Sequence, residues 1–222
     1  MSLTIDYGTD VALVAGEKGA GGTKYSLKLI NESTQPWIFF VFQKLPEETP
    51  KIFSLAWFAS PYLLVPGTDI TFEWQINYNF VWTQTGVLIP GVVFHASATK
   101  DCDPAGANTT NFSLNPGPNL SNPYKAPPAG SLVINDAADV PGEQFAVGIG
   151  MSGMGTFAVQ AGPNLKHMFT PKPTYWVAAG ADQKIGTVLD IATITKTAEA
   201  KFPTNVYALK ATLGEDNLWK VG

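Results

Sequence analysis

A chain of 222 residues, 45% hydrophobic and 12% aromatic, can bury a sizeable core, and only 14% charged residues leaves much of its surface polar but uncharged. Its net charge of −4 comes with fourteen lysines and no arginine. This excludes the guanidinium forks that readers of phosphate and guanine depend on, so nucleic acid is not an expected partner. No apolar run reaches membrane-spanning length and the start lacks a basic n-region, so neither a membrane partner nor secretion is expected. Cys102, the single cysteine, permits no internal disulfide and fits a reducing, cytoplasmic setting.

Residues 1–24 read as a loosely attached lead-in that ends in the glycine-rich 16–22. Tyr25, Leu27 and Leu29 then alternate with Ser26, Lys28 and Ile30, the period of a half-buried strand. WIFFVF at 37–42 is apolar on both faces, which predicts a central strand covered above and below. A solvated connection is expected at 45–51, followed by strands at 52–58 and 62–65.

Pro66–Gly67 predicts a type II turn, with proline presetting the first central φ and glycine taking the positive one. The same device recurs at Ile89–Gly91 and Val140–Gly142. Between the first two turns, Ile70, Phe72, Trp74, Ile76, Tyr78 and Phe80 alternate with Thr71, Glu73, Gln75, Asn77 and Asn79, predicting one long strand with an aromatic face.

A strand carrying His95 is expected at 92–98, then a long loop at 99–130 that holds six prolines and a short strand at 109–114. Further strands are expected at 131–135, 144–151, 155–160, 174–179, 188–194, 198–202, 206–213 and 218–221. No segment keeps a helical apolar period. The class is therefore all-β: one 1–222 domain built as a two-sheet antiparallel β-sandwich with long Pro/Gly-rich loops.

The motifs that suggest chemistry are few. Gly148–Gly155 (GIGMSGMG) has the GxGxxG spacing, but a strand follows where a dinucleotide site needs a helix, so a glycine-rich hairpin or bulge is expected. Asp101 and Asp103 sit in a half-formed calcium-like loop that lacks its bidentate glutamate; the competing reading is an Asx-rich turn. Cys102 stands between those acids, which disfavours a reactive thiolate. His95 and His167 form no metal-binding or nucleophile-elbow pattern, so no enzyme is expected.

The aromatic supply is the strongest signal. Trp57, Phe58, Tyr78, Asn79, Phe80, Trp82, His95, Met151, Met154, Tyr175 and Trp176 are the candidate lining of a small-molecule cavity, with Asp101 and Asp103 as the candidate ligands of a divalent metal.

Six blocks, including 25–43, ITFEWQINYNFVW at 70–82, FAVGIGMSGMGTFAVQAGPN at 145–164 and KFPTNVYALKATL at 201–213, resemble the RhiA-like (rhizosphere-expressed) family of bacteria and fungi over nearly the whole chain. The resemblance is strongest toward the pink chromoproteins of its fungal branch. It implies a β-sandwich that holds a small conjugated pigment in a cavity without catalysis. The candidate lining residues rest on the sequence pattern alone. Two other readings stay open: a structural or interaction protein, able to form homo-oligomers, and an enzyme of unassigned reaction.

Overall fold

The computed structural model describes residues 2–6, 23–45, 51–172 and 174–222. Among them the fold is all-β, with one 3-10 turn at Ile191–Thr193. No helix among the described residues is long and apolar enough to cross a membrane, which says nothing about crossing by strands.

Four sheets pair into two sandwiches. In the first sheet, β1 (Ser2–Asp6), β2 (Lys24–Asn31), β6 (Asp69–Gln75), β17 (Ala208–Leu213) and β18 (Trp219–Val221) lie in the order β1-β6-β2-β17-β18. It packs on a sheet ordered β16-β15-β3-β5, made of β3 (Ile38–Lys44), β5 (Phe58–Ala59), β15 (Thr174–Gly180) and β16 (Thr197–Glu199). Leu27, Leu29, Ile70, Phe72 and Trp74 from one sheet meet Phe39, Val41, Phe58, Tyr175 and Val177 from the other.

The second sandwich faces β4 (Phe53–Ser54), β7 (Tyr78–Thr83), β8 (Ala98–Cys102), β12 (Ala146–Met151) and β13 (Met154–Gln160) against β9 (Thr109–Ser113), β10 (Asn119–Leu120), β11 (Leu132–Asp136) and β14 (Lys166–Phe169). Phe80, Val147, Ile149 and Phe157 pack there on Phe112, Leu132, Ile134 and Phe169. Pairing is mostly antiparallel, as expected, but β1/β6, β2/β17 and β9/β11 run parallel.

β3 is the central strand that its sequence predicts. Phe39 and Val41 enter the first core, while Ile38, Phe40 and Phe42 enter a separate cluster with Ala178 and Leu189 on the sheet's other face. The β12–β13 hairpin is also as expected. Ser152 and Gly153 turn it with φ of 54° and 78°, the double positive φ of a type I′ turn. A bulge falls at Ile149/Gly150, where a Cβ on Gly150 would lie 1.9 Å from the Met154 carbonyl oxygen.

Several expectations are corrected. The long strand at 70–80 is two strands in two different sheets, broken at Ile76–Asn77, with Ile76 exposed. Alternation survives the break because each half sends its even-numbered residues into its own core. The chain at 92–97 is loop, with one β-bridge from Val93 to Thr187, and only Ala98 belongs to a strand, as the start of β8; 188–194 passes into the 3-10 turn. The 99–130 stretch is not structureless: it carries the end of β8 and all of β9 and β10. Buried Asn108 organises it, donating to the Pro128 and Ser131 carbonyls at 2.9 and 3.0 Å and accepting from the Ala126 N–H at 2.9 Å.

Of the three Pro-Gly turns, Gly67 and Gly91 take positive φ, but at the third Glu143 does so. Residues 2–6 of the supposed lead-in pair with β6; 7–22 of it, and 46–50 of the expected connection, lie outside the described residues.

Candidate functional site

The most distinctive chemistry is an aromatic box in the first sandwich. Tyr25 and Trp74 are direct cross-strand partners on β2 and β6, and their rings stack at 5.9 Å with 14° between planes. Tyr175 on β15 approaches Trp74 at 5.1 Å from the opposite sheet, and Trp57 closes the floor at 5.3 Å from Trp74 and 6.0 Å from Tyr175. Phe202, from the loop after β16, meets Tyr25, Trp74 and Tyr175 edge-on at 5.3, 5.7 and 5.8 Å. Tyr207, 42% exposed, touches Tyr25 at 5.5 Å. The rings thus run without a gap from solvent to fully buried Trp57 and Trp74.

Polar atoms at the floor are sparse and specific. The Trp57 indole N–H donates to the Met151 carbonyl at 3.1 Å, and the Met151 sulfur lies 3.9 Å from both the Gln43 side-chain nitrogen and the Tyr175 hydroxyl. Burial pushes the Tyr175 phenol well above its ordinary value, with the nearby Trp74 indole opposing the rise and the phenols of Tyr78 and Tyr25 adding to it. The Trp74 N–H, although fully buried, makes no hydrogen bond of ordinary geometry among the described residues, yet it lies near enough to Tyr175 to act on its charge.

The hairpin tip joins this box to the second sandwich at the chain break. The Ser152 hydroxyl donates to the Gln75 carbonyl at 3.0 Å and accepts from the Gln75 N–H at 3.2 Å. The Ser152 N–H reaches the Asn77 backbone and side-chain oxygens, each at 3.1 Å, and the Gly153 N–H donates to Asn79 Oδ1 at 3.1 Å. The GIGMSGMG motif therefore binds its own chain.

The other candidate residues disperse. Trp57, Phe58, Met151 and Tyr175 belong to the first core, with Met154 and Tyr78 packed against it. Phe80 is core in the second sandwich, where Trp82 meets Phe112 at 5.5 Å with its N–H unpartnered. Asn79 is buried with its Nδ2 unpartnered. Trp176 faces away from the box, stacked on Phe42 and covered by the Lys44 ammonium 3.8 Å from its ring. His95 is exposed on the 92–97 loop.

Asp101 and Asp103 are both exposed, and Asp103 Oδ1 accepts the Ala105 N–H at 2.9 Å, the Asx turn weighed against a calcium loop. Among the described residues no three His, Cys, Asp or Glu side chains converge as a metal ion would require. Cys102 has its thiol raised by burial first and then by Asp101 and Asp103. Tyr78, opposite it on β7, is raised by burial and by Cys102.

Sequence reasoning missed Tyr25, Phe202 and Tyr207 in the box. Tyr25 carries a signal, since it shares the inward parity of Leu27 and Leu29; Phe202 sits in a loop and carries none. Also missed was a partly buried pair beside the second core, where His167 Nε2 lies 2.8 Å from Oδ2 of buried Asp136, an oxygen that also accepts the Gly162 N–H at 3.0 Å.

Fold and site together define a doubled β-sandwich protein whose chemical resources are concentrated in an aromatic core. The profile of the RhiA family matches residues 22–222. Protein RhiA of Rhizobium leguminosarum bv. viciae is 58% identical over 202 residues, spanning 91% of this chain and 87% of that protein. The chain belongs to the RhiA family. No solved structure matches it.

Proposed function

We propose that this protein is a non-enzymatic, cytoplasmic carrier of a small conjugated pigment, similar to the pink chromoprotein of an oyster mushroom that its sequence blocks resemble. The observation that carries the reading is the continuous run of rings from exposed Tyr207 through Tyr25 and Phe202 to buried Trp74 and Tyr175. An aromatic wall with one or two placed polar groups suits a flat conjugated ligand, stacking on its π-system and excluding water from it. Trp74 offers that ligand an unused donor, and a buried donor without a partner costs about 1–3 kcal/mol until an acceptor reaches it. No residue of the chain needs to react.

Protein purified from its own source should show visible absorption that is lost on denaturation, with a small molecule recovered in the extract. Colourless native protein with nothing co-extracted would refute the reading.

A second reading rests on a separate observation. Tyr62, Leu63 and Val65, 50%, 47% and 52% exposed, form a short apolar run that could seat a second copy or another protein. Light scattering over a concentration series tests for the oligomer that this reading expects.

A further inference from the structure

The box is already occupied, by the protein's own Phe202. Its three ring contacts, to Tyr25, Trp74 and Tyr175, have interplanar angles of 83°, 89° and 79°, the geometry of a ring standing edge-on inside a frame of three others. The segment that delivers it is lightly attached. The Ala200 N–H donates to the Tyr175 carbonyl before it, and the Ser26 N–H donates to the Tyr207 carbonyl after it, each at 2.8 Å. Between these two ties, residues 201–206 make no backbone hydrogen bond to a described residue outside the loop; the Val206 N–H donates at 3.0 Å to the Pro203 carbonyl within it.

Phe202 itself is only half-buried, whereas Trp57 and Trp74 beneath it are wholly buried. A loop held at both ends and free between them can swing a single side chain out while the strands stay paired.

We propose that Phe202 is a displaceable plug, and that a flat conjugated ligand bearing an uncharged hydrogen-bond acceptor takes its place in the box and accepts the Trp74 N–H. This rests on the carrier reading and adds how the ligand enters and what it must carry. Ring-for-ring exchange replaces the edge-on contacts that Phe202 supplies, so the competing plug sets the apparent affinity. The acceptor is uncharged because no lysine ammonium stands over Tyr25, Trp74, Tyr175 or Phe202 among the described residues, and an unpaired buried anion is strongly disfavoured. Lys24, next to Tyr25, is engaged by Glu73 at 3.0 Å.

The test uses 2-acetylnaphthalene, flat and conjugated with one carbonyl acceptor, against naphthalene, which has none. Binding to the full chain is followed by tryptophan fluorescence, and loop exposure by the rate of trypsin cleavage after Lys201. Saturating acetylnaphthalene should speed that cut in the unaltered protein. F202A should bind the probe about tenfold more tightly, because the plug no longer competes. F202L, which keeps most of the volume should F202A fold poorly, should fall between. W74F should abolish the preference for acetylnaphthalene over naphthalene.

A probe that binds without speeding the cut, or that binds F202A and the unaltered protein equally, overturns the plug. So does a probe that binds only F202A, which would make Phe202 a fixed core ring. Native pigment recovered unchanged alongside any of these results would leave the carrier reading standing and remove only the plug.

Discussion

Trp74 and Trp82 sit eight positions apart on one alternating stretch, each with an indole N–H that finds no partner, yet they serve different cores. Trp74 is walled by Tyr25, Trp57, Tyr175 and Phe202, in a core where rings meet rings and one of those rings comes from a loop. Trp82 lies at the side of a core that is otherwise mostly aliphatic, with Phe112 and Phe145 as its ring neighbours. The second core places its titratable groups in the Asp136–His167 pair, the carboxylate buried and the imidazole partly so, with Asp136 Oδ1 left without a partner among the described residues. Both cores thus hold an unused indole donor, but only in the first does it lie within a frame of rings capped by a half-buried side chain from a loop. Aromatic content alone does not separate the two; who supplies the rings and from which element does.

The comparison breaks first at the cores. Phe72 and Phe80 are both fully buried, one in each sandwich, and truncation to alanine should cost about 3–5 kcal/mol in either case by denaturant unfolding. A much smaller loss at one of them would mean that its core can collapse around the missing ring.

Asp136→Ala should cost less, about 1–3 kcal/mol, by leaving the Gly162 N–H and the His167 ring without their acceptor. It should not change the binding of any ligand held by the Trp74 box. Lost pigment or probe binding in folded Asp136→Ala would show that the sandwiches are coupled more tightly than two separate cores allow.

The alkaline limb of stability sharpens the contrast in another way. Tyr175 in the first core and Cys102 beside the second are both raised by burial above their ordinary values of 10.0 and 9.0. A group that holds its proton more tightly when folded releases it on unfolding. Its stabilisation is therefore intact below the unfolded pKa and lost as pH climbs through and beyond it. Stability should begin to fall above about pH 9, with each group contributing a slope of up to about 1.4 kcal/mol per pH unit. Cys102→Ala should delay the onset and Tyr175→Phe should flatten the part above pH 10, both measured by unfolding at fixed pH values.

Much of the strand inventory was legible because the period of two is a local signal: Leu27 and Leu29, the doubly apolar 38–42, and Ile70, Phe72 and Trp74 all lie inside as their spacing says. What the period could not carry was which sheet each strand joins. Ile70 to Phe80 kept perfect alternation across a change of sheet, and only the exposure of Ile76 betrays the corner. The site was partly legible for the same reason. Trp57, Phe58, Met151 and Tyr175 do gather in one core, but Trp176 points the other way and Phe80 and Trp82 lie beyond the break. Phe202 reaches the box through a loop whose path depends on two distant strand pairings, and no local pattern encodes that. The glycines of GIGMSGMG advertised a hairpin, but their target, the backbone of Gln75 and Asn77, was visible only in three dimensions.

That target yields the smallest effect and the most direct measure of how the halves are joined. Ser152→Ala removes the hydroxyl that both donates to and accepts from the Gln75 backbone, while leaving the type I′ turn and the Ser152 N–H bonds to Asn77 in place. The cost should be about 0.5–1.5 kcal/mol, the net worth of an ordinary hydrogen bond. Its location is more telling than its size. The Gln75 amide, whose acceptor is the lost hydroxyl, should exchange its hydrogen faster, while amides within β12 and β13 keep their protection. Loss of protection through the whole hairpin would mean that the hydroxyl holds the turn itself. Unchanged exchange at Gln75 would mean that the corner between the sandwiches stands on the Trp57 bond to Met151 and the packing around it.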